Sequence, residues 1–383
     1  MKILQIPNYQ YPHIGGIEQV ARDISDALSE ESSFEQKIIC FNEDAKDGKY
    51  ICHRRETVHD EINGVEVIRC GCFAKVASQS LSITYPFELK KVLRNFDPDI
   101  VILHYPNPFV SSFLLPMLPK KTKFILWWHL DIVKQKILGK LFNGQTEKLC
   151  KRADKIVATS PNYIAGSKNL SKYKDKCIVI PNCIRTERFV ENEHTNEKIA
   201  EIKEKYKGKT ICFTIGRHVP YKGIEYLIKA SQYLDNSFVV LIGGKGKLTD
   251  SLKEEAKNDE KVVFLGRVEE EDLIAYYKAC DIYCFPSITK NEAFGIALAE
   301  GMYFGKPAVT FTIPGSGVNY VSLNGITGIE CPNRDAKAFA TAIQKLSYDE
   351  ILRAKYGIAA KERINNHFLY KQFKKKIINL FEK

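Results

Sequence analysis

Short apolar runs alternate with stretches of helical periodicity along almost the whole chain, and that alternation constrains the fold more than any single residue. Residues 2–6 form a first apolar run, and Ile17, Val20, Ile24 and Leu28 then recur at helical spacing over 17–30. Between them lies Pro12-His13-Ile14-Gly15-Gly16. Further runs at 36–42, 65–70, 99–105, 123–129, 155–160 and 177–180 read as strands, with helices predicted at 87–96 and at about 133–152. Residues 42–64 are polar and read as a loop. Apolar strands separated by helical segments predict a parallel sheet covered on both faces.

The pattern pauses and then restarts. Residues 181–208 are polar and charged and read as a connection containing a short helix. Strands follow at 210–216, 237–243, 262–266, 282–287, 307–311 and 328–331, with helices at 222–234, 247–257, 270–279, 295–305 and 335–346. A last helical stretch runs from 348 to 381 with a break near Asn365-Asn366. A length of 383 residues suits two domains. The expected fold class is α/β, with two doubly wound Rossmann-like domains over 1–183 and 184–365 and the carboxyl ends of their strands facing an interdomain cleft. Ligands in such sheets lie at those carboxyl ends.

The chemistry concentrates in Glu292-Ala293-Phe294-Gly295-Ile296-Ala297-Leu298-Ala299-Glu300. An apolar run ends in Phe285-Pro286-Ser287 just before it, and a helix is predicted to open at Gly295. Glu292 is therefore expected on a strand-to-helix loop and Glu300 inside the helix. A helix start presents free N–H groups that suit a phosphate. A carboxylate beside that phosphate is tolerable when it meets neutral hydroxyls or a cation, and a sugar or ribose supplies hydroxyls. A sugar nucleotide is the implied ligand. Ile215-Gly216-Arg217-His218-Val219-Pro220-Tyr221-Lys222-Gly223 likewise follows a strand and opens a helix. Cations at a helix start oppose its dipole unless an anion binds there, so Arg217 and Lys222 point to a diphosphate.

Other positions are more open. Gly15 and Gly16 stand after the first strand, and a glycine pair alone is more often a turn than a ligand site. Leu241-Ile242-Gly243-Gly244-Lys245-Gly246 ends a strand in a glycine turn, where Gly244 would let backbone approach a flat ligand. His129 ends another strand and could act as proton shuttle, sugar-hydroxyl partner or core histidine. Asp131 would orient His129 or bind the acceptor. His104 and His13 are weaker candidates on neighbouring loops, and His218 flanks the phosphate site. Asp97-Pro98-Asp99 reads as a turn, not a metal motif, so no metal is expected.

Taken together, these residues resemble a known family. Glu292 and Glu300, with seven residues between them, resemble the E-x7-E motif of retaining GT-B glycosyltransferases of family 4. The run from Phe285-Pro286-Ser287 to Gly305-Lys306-Pro307-Ala308-Val309 is similar to that family, and Gly216-Arg217 with Lys222-Gly223 resembles its G-R-x(4)-K-G run. The resemblance implies a GT-B fold whose final helix, about 366–383, packs back on the first domain. It implies that Gly15, Gly16, Arg217, Lys222, Phe294, Gly295 and Ile296 meet the donor diphosphate. Glu292 would hold donor-sugar hydroxyls, Glu300 the ribose, and His129 would lie beside the sugar. Gly244, Arg267 and Val268 would line the base pocket; apart from the resemblance, Asp131 and His104 are the candidates for contact with an acceptor. The sequence also departs from the family at Gly301 and Tyr303, at Cys183 after Asn182, and in Ile313-Pro314-Gly315-Ser316-Gly317-Val318-Asn319, which lacks an acidic residue.

The expected activity is transfer of a hexose from a UDP- or GDP-sugar to a hydroxyl of a glycan or polyprenyl-diphosphate-linked acceptor, with retention and without a metal. Bacterial cell-surface polysaccharide assembly is the implied setting. A non-catalytic nucleotide-sugar sensor is the alternative, and a dinucleotide oxidoreductase is disfavoured by the missing G-x-G-x-x-G. Eleven scattered cysteines suggest reduced thiols in the cytoplasm. No run is long enough to span a membrane, and the start reads as a strand and not as a signal peptide. Net charge is +11, and residues 120–176 alone carry 14 basic and 4 acidic residues. Without a nucleic-acid motif, that excess suits an anionic membrane surface or lipid-linked acceptor, with a solvated lysine-rich face as the plain alternative.

Overall fold

The apolar runs become two separate sheets. The computed structural model of the protein describes residues 1–13, 15–43, 52–76, 79–132 and 138–382. Residues 44–51 of the expected polar loop, 133–137 of the expected basic helix, and Ile14 lie outside the described residues. The chain divides into two units, the first comprising Met1–Thr159, Ser167–Pro181 and Phe373–Lys383, the second Ser160–Gly166 and Asn182–Gln372.

The main sheet of the first unit is built from β1 (Lys2–Ile6), β2 (Glu35–Phe41), β3 (Val58–Ile62), β4 (Val65–Cys70) and, after a small hairpin of β5 (Ala74–Val76) and β6 (Gln79–Leu81), β7 (Ile100–Tyr105), β8 (Lys123–Trp128), β9 (Lys155–Ala158) and β10 (Cys177–Val179). The order is β10-β9-β8-β7-β1-β2-β4-β3, and every pair is parallel except β3–β4. Strand order reverses between β1 and β7, so their carboxyl ends mark the switch point. Helices α1 (Gly16–Ser29), α2 (Tyr85–Asn95), α3 (Pro108–Met117) and α4 (Leu138–Arg152) belong to this unit. In α1, Val20, Ile24 and Leu28 of the predicted stripe are buried together with Ala21 and Ala27, and Ile17 is half-buried.

The second unit has a six-stranded, wholly parallel sheet of β11 (Thr210–Ile215), β12 (Phe238–Gly243), β13 (Val262–Gly266), β14 (Ile282–Phe285), β15 (Ala308–Phe311) and β16 (Gly328–Cys331). Its order, β13-β12-β11-β14-β15-β16, reverses between β11 and β14. Its helices are α5 (Pro161–Gly166), α6 (Glu193–Lys205), α7 (Ile224–Ser231), α8 (Thr249–Glu255), α9 (Glu270–Ala279), α10 (Ile296–Tyr303), α11 (Val318–Val321), α12 (Ala336–Tyr348) and α13 (Glu350–His367). Asn192, Asp335 and Asp349 cap α6, α12 and α13 through side-chain oxygens that accept backbone N–H bonds.

Several expectations are corrected. A single boundary at 183 gives way to a chain that leaves and re-enters the second unit. Residues 160–166 belong to the second unit, where Gly166 packs on Gly315 so closely that a Cβ at Gly166 would lie 2.3 Å from the Gly315 Cα. The long terminal helix breaks at 368–369, not at 365–366, because Leu369 bridges to Ile184. The last helix, α14 (Tyr370–Phe381), starts in the second unit and passes into the first from Phe373 onward, so residues 366–372 do not belong to the first unit. There Phe373, Ile377 and Phe381 are buried, with Phe373 6.3 Å from Trp127 and Phe381 6.1 Å from Phe34 between ring centroids. β3 lies within the expected loop, and α3 stands where no helix was predicted.

Candidate active site

The carboxyl ends of β11 and β14 hold the predicted cation and carboxylate. Lys222 Nζ lies 2.5 Å from Glu292 Oε2, and the two side chains are only 15% and 11% exposed. Ser287 Oγ donates to the same oxygen at 3.2 Å. Among the described residues, Glu292 Oε1 has no hydrogen-bond partner. Two glycines set this approach. Gly223 adopts a φ of +62°, and a Cβ there would sit 2.2 Å from the Pro286 carbonyl. Gly295, at φ +92°, opens α10, whose first helical bond runs from Ala299 N to Gly295 O at 3.0 Å. The N–H groups before Ala299 therefore lack intrahelical acceptors. Phe294 is buried beneath this start.

The loop after β15 holds the glutamate loop from behind. Ser316 Oγ donates to the Glu292 carbonyl, and a Cβ at Gly317 would lie 2.1 Å from the Ala293 carbonyl. Asn319, in the loop that lacks an acidic residue, accepts from Ile313 N at 2.8 Å and donates to Phe311 O at 3.1 Å. A carboxylate could not make the second bond. Gly301 is equally constrained, since a Cβ there would meet the Tyr283 ring at 2.6 Å.

On the other side of β11, backbone packs on backbone. Gly244 has φ +108°, and a Cβ there would lie 1.9 Å from the Gly216 carbonyl. His218 N donates to Lys245 O at 3.1 Å, and the His218 ring meets Thr249 Oγ1 at 3.0 Å, so His218 fastens this loop pair. Arg217 is exposed and donates to the Tyr221 hydroxyl at 3.2 Å. Gly266 adopts φ +71°, Arg267 pairs with Glu269 at 3.0 Å, and Val268 rests against Gly243.

Glu300 is buried and already paired. Its Oε1 accepts from Arg188 Nη2 at 2.7 Å and its Oε2 from the Tyr277 hydroxyl at 2.8 Å. Burial raises its carboxyl above the usual carboxylate range, and the Arg188 charge opposes that rise. Sequence reasoning missed Arg188, which lies in the aperiodic connection and carries no motif.

In the first unit, Gly15 caps α1 in an extended conformation, and Gly16 is exposed with nothing within 4 Å of a built Cβ. The Glu18 carboxylate folds against Gly15, with His13 Nε2 3.8 Å from it. His104 corrects an expectation. It lies inside β7, fully buried, and its Nδ1 meets His129 Nε2 at 2.9 Å while its Nε2 meets Gln5 Oε1 at 3.3 Å. Burial lowers the pKa of His129 to about 3 and that of His104 well below the usual histidine range. Both rings are neutral at neutral pH, which does not suit a proton shuttle. Asp131 accepts from Trp128 Nε1 at 3.1 Å and Ser167 Oγ at 2.8 Å. No group of three or more His, Cys, Asp or Glu suited to a metal ion occurs among the described residues.

Two family models match this chain, Glycosyltransferase Family 4 over residues 14–188 and Glycosyl transferases group 1 over residues 195–363. O-antigen chain mannosyltransferase C of Escherichia coli is 29% identical across 100% of this chain and 98% of its own. D-rhamnosyltransferase WbpZ of Pseudomonas aeruginosa is 32% identical over 71% of each chain. Among solved structures, sucrose-phosphate synthase from Thermosynechococcus elongatus superposes with a TM-score of 0.76 at 18% identity, covering 100% of this chain and 98% of that one. Anabaena Alr3699/HepE in complex with UDP-glucose gives 0.75 at 15% identity, covering 100% and 99%. The fold is GT-B, and the chain belongs to the glycosyl transferases group 1.

Proposed function

We propose that the protein is a retaining hexosyltransferase that moves a sugar from a UDP- or GDP-sugar to a hydroxyl of a glycan or polyprenyl-diphosphate-linked acceptor, without a metal, in cell-surface polysaccharide synthesis. The Lys222–Glu292 pair at the switch point of the second sheet carries this reading. Lys222 is fixed where a leaving diphosphate would develop charge, with Arg217 on the same β11 loop and the open N–H groups of Gly295 and Ile296 on the β14 loop. Glu292 keeps Oε1 for donor-sugar hydroxyls. Each Glu300 oxygen retains a second lone pair for the ribose. The acceptor hydroxyl attacks the anomeric carbon from the face that the diphosphate leaves, the bond to the bridging oxygen breaks, and an oxygen of the departing diphosphate takes the hydroxyl proton. Relatives named for mannosyl and rhamnosyl transfer support a hexosyl donor, and HepE, solved with UDP and with UDP-glucose, supports a nucleotide-sugar donor.

Calorimetric titration with UDP, GDP and ADP tests the donor site. One nucleotide binds at micromolar strength, and Arg217→Ala weakens it about tenfold, or about 1.4 kcal/mol. Hydrolysis of the matching nucleotide sugar, lost in Glu292→Ala, separates an enzyme from a sensor. Equal binding by Arg217→Ala removes the diphosphate assignment.

A further inference from the structure

We propose that His104 is a positioning residue that holds the proton of His129 on Nε2 and leaves the Nδ1 lone pair of His129 as the acceptor for a ligand hydroxyl. The ligand class rests on the function proposed above, whereas the tautomer does not.

Three polar side chains run side by side through the apolar first sheet. Gln5 comes from β1, His104 from β7 and His129 from the residue after β8, which are three adjacent strands. Gln5 and His104 are fully buried, and the His104 and His129 rings lie 5.2 Å apart at 13° to each other. Gln5 Nε2 has no partner among the described residues. Burying an amide and two imidazoles at this depth opposes folding, and apolar residues of similar size would avoid that cost. The arrangement is therefore better explained by what it imposes on His129.

What it imposes follows from donor counting. A neutral imidazole has one N–H donor and one bare nitrogen. As its amide is oriented, Gln5 turns Oε1 toward His104, and that oxygen can only accept, so His104 Nε2 carries the hydrogen of that bond; the opposite amide orientation would reverse each proton along the chain. His104 Nδ1 is then bare and accepts, so His129 Nε2 carries the hydrogen between the rings. His129 Nδ1 is left bare, and among the described residues no protein group bonds to it. Such a nitrogen accepts from a hydroxyl and repels a phosphate oxygen. Burial also resists a second proton, so the residue stays an acceptor through the neutral range.

Long-range 1H–15N correlation on the 15N-labelled full chain without ligand reads the tautomers directly. At neutral pH both histidines are expected as Nε2–H forms. In His104→Phe, His129 becomes a mixture of tautomers. KM for the nucleotide sugar rises about tenfold with kcat within about twofold, because a contact made equally in ground and transition states is weakened. If His104→Phe does not fold, Gln5→Leu frees the same chain from its other end and gives the same mixing. A His129 proton on Nδ1 in the wild type, or a single unchanged tautomer in the folded variants, overturns the proposal. Expected tautomers in a protein that turns over no nucleotide sugar would remove the enzymatic reading and leave the positioning role standing.

Discussion

At the scale of single residues, the site combines what local spacing announces with what only folding assembles. Glu292 and Lys222 were legible because each lies on a strand-to-helix turn within three residues of a glycine, Gly295 and Gly223. Arg188 was not, since it meets Glu300 across 112 residues of sequence from an aperiodic segment. Ser316 was equally silent, being one serine in a glycine loop. The His104–His129 bond was half legible. His129 was expected at a strand end and His104 on a neighbouring loop, and only the register of β7 against β8 shows that they touch. Lys222→Met should leave the Glu292 carboxylate without its cation and lower kcat by a factor of about 10²–10³, as for other lost charge-stabilising groups. Glu292→Gln should fall similarly while still binding the free nucleotide, and titration beside steady-state kinetics checks both. The buried histidines add a pH dependence. Their folded pKa values lie below the unfolded value near 6.5, so the unfolded chain binds more protons between about 6.5 and about 3. Their contribution is present above that window and is lost as pH falls through it. Urea unfolding should show the stability gap between wild type and His104→Gln/His129→Asn narrowing as pH drops from 7 to 4. A constant gap would mean that the rings titrate normally.

At the scale of elements, parallel strands were readable because both faces are buried and leave apolar runs. The edge strand β3 was not, because its His59 and Glu61 are exposed and its sequence, Val58-His59-Asp60-Glu61-Ile62, looks like loop. Helix α3 escaped because Pro108-Phe109-Val110-Ser111-Ser112-Phe113-Leu114-Leu115-Pro116-Met117 has no helical period and ends near a proline, and Asn107 caps it locally. Glycines are where element geometry and chemistry separate. A Cβ at Gly244 cannot be accommodated beside the Gly216 carbonyl, and φ is positive there. Gly244→Ala should therefore cost more than about 3 kcal/mol in chemical denaturation. Gly16 is exposed and unobstructed, so Gly16→Ala should change stability by less than about 0.5 kcal/mol. If Gly16 is there for close approach of a ligand, that variant nonetheless raises the donor KM about tenfold. An unchanged KM would make Gly16 an ordinary helix start.

At the scale of the whole molecule, two doubly wound sheets follow from one repeated pattern, and composition adds what the pattern does not. The pattern could not show that residues 160–166 belong to the second unit, because that depends on Gly166 meeting Gly315 across about 150 residues of chain. The charge excess is a property of the full chain. Net charge is +11, and no helix among the described residues is long and apolar enough to cross a membrane. The charge excess suits electrostatic attraction to a bilayer surface that would carry a lipid-linked acceptor, worth about 1 kcal/mol per nearby Lys or Arg and acting within a Debye length of about 8 Å. The full chain should cosediment with vesicles containing phosphatidylglycerol at low salt, be released at about 0.5 M salt, and ignore pure phosphatidylcholine. A solvated lysine-rich face predicts no cosedimentation with either vesicle. Binding to both, insensitive to salt, would point instead to apolar insertion and would remove the electrostatic account.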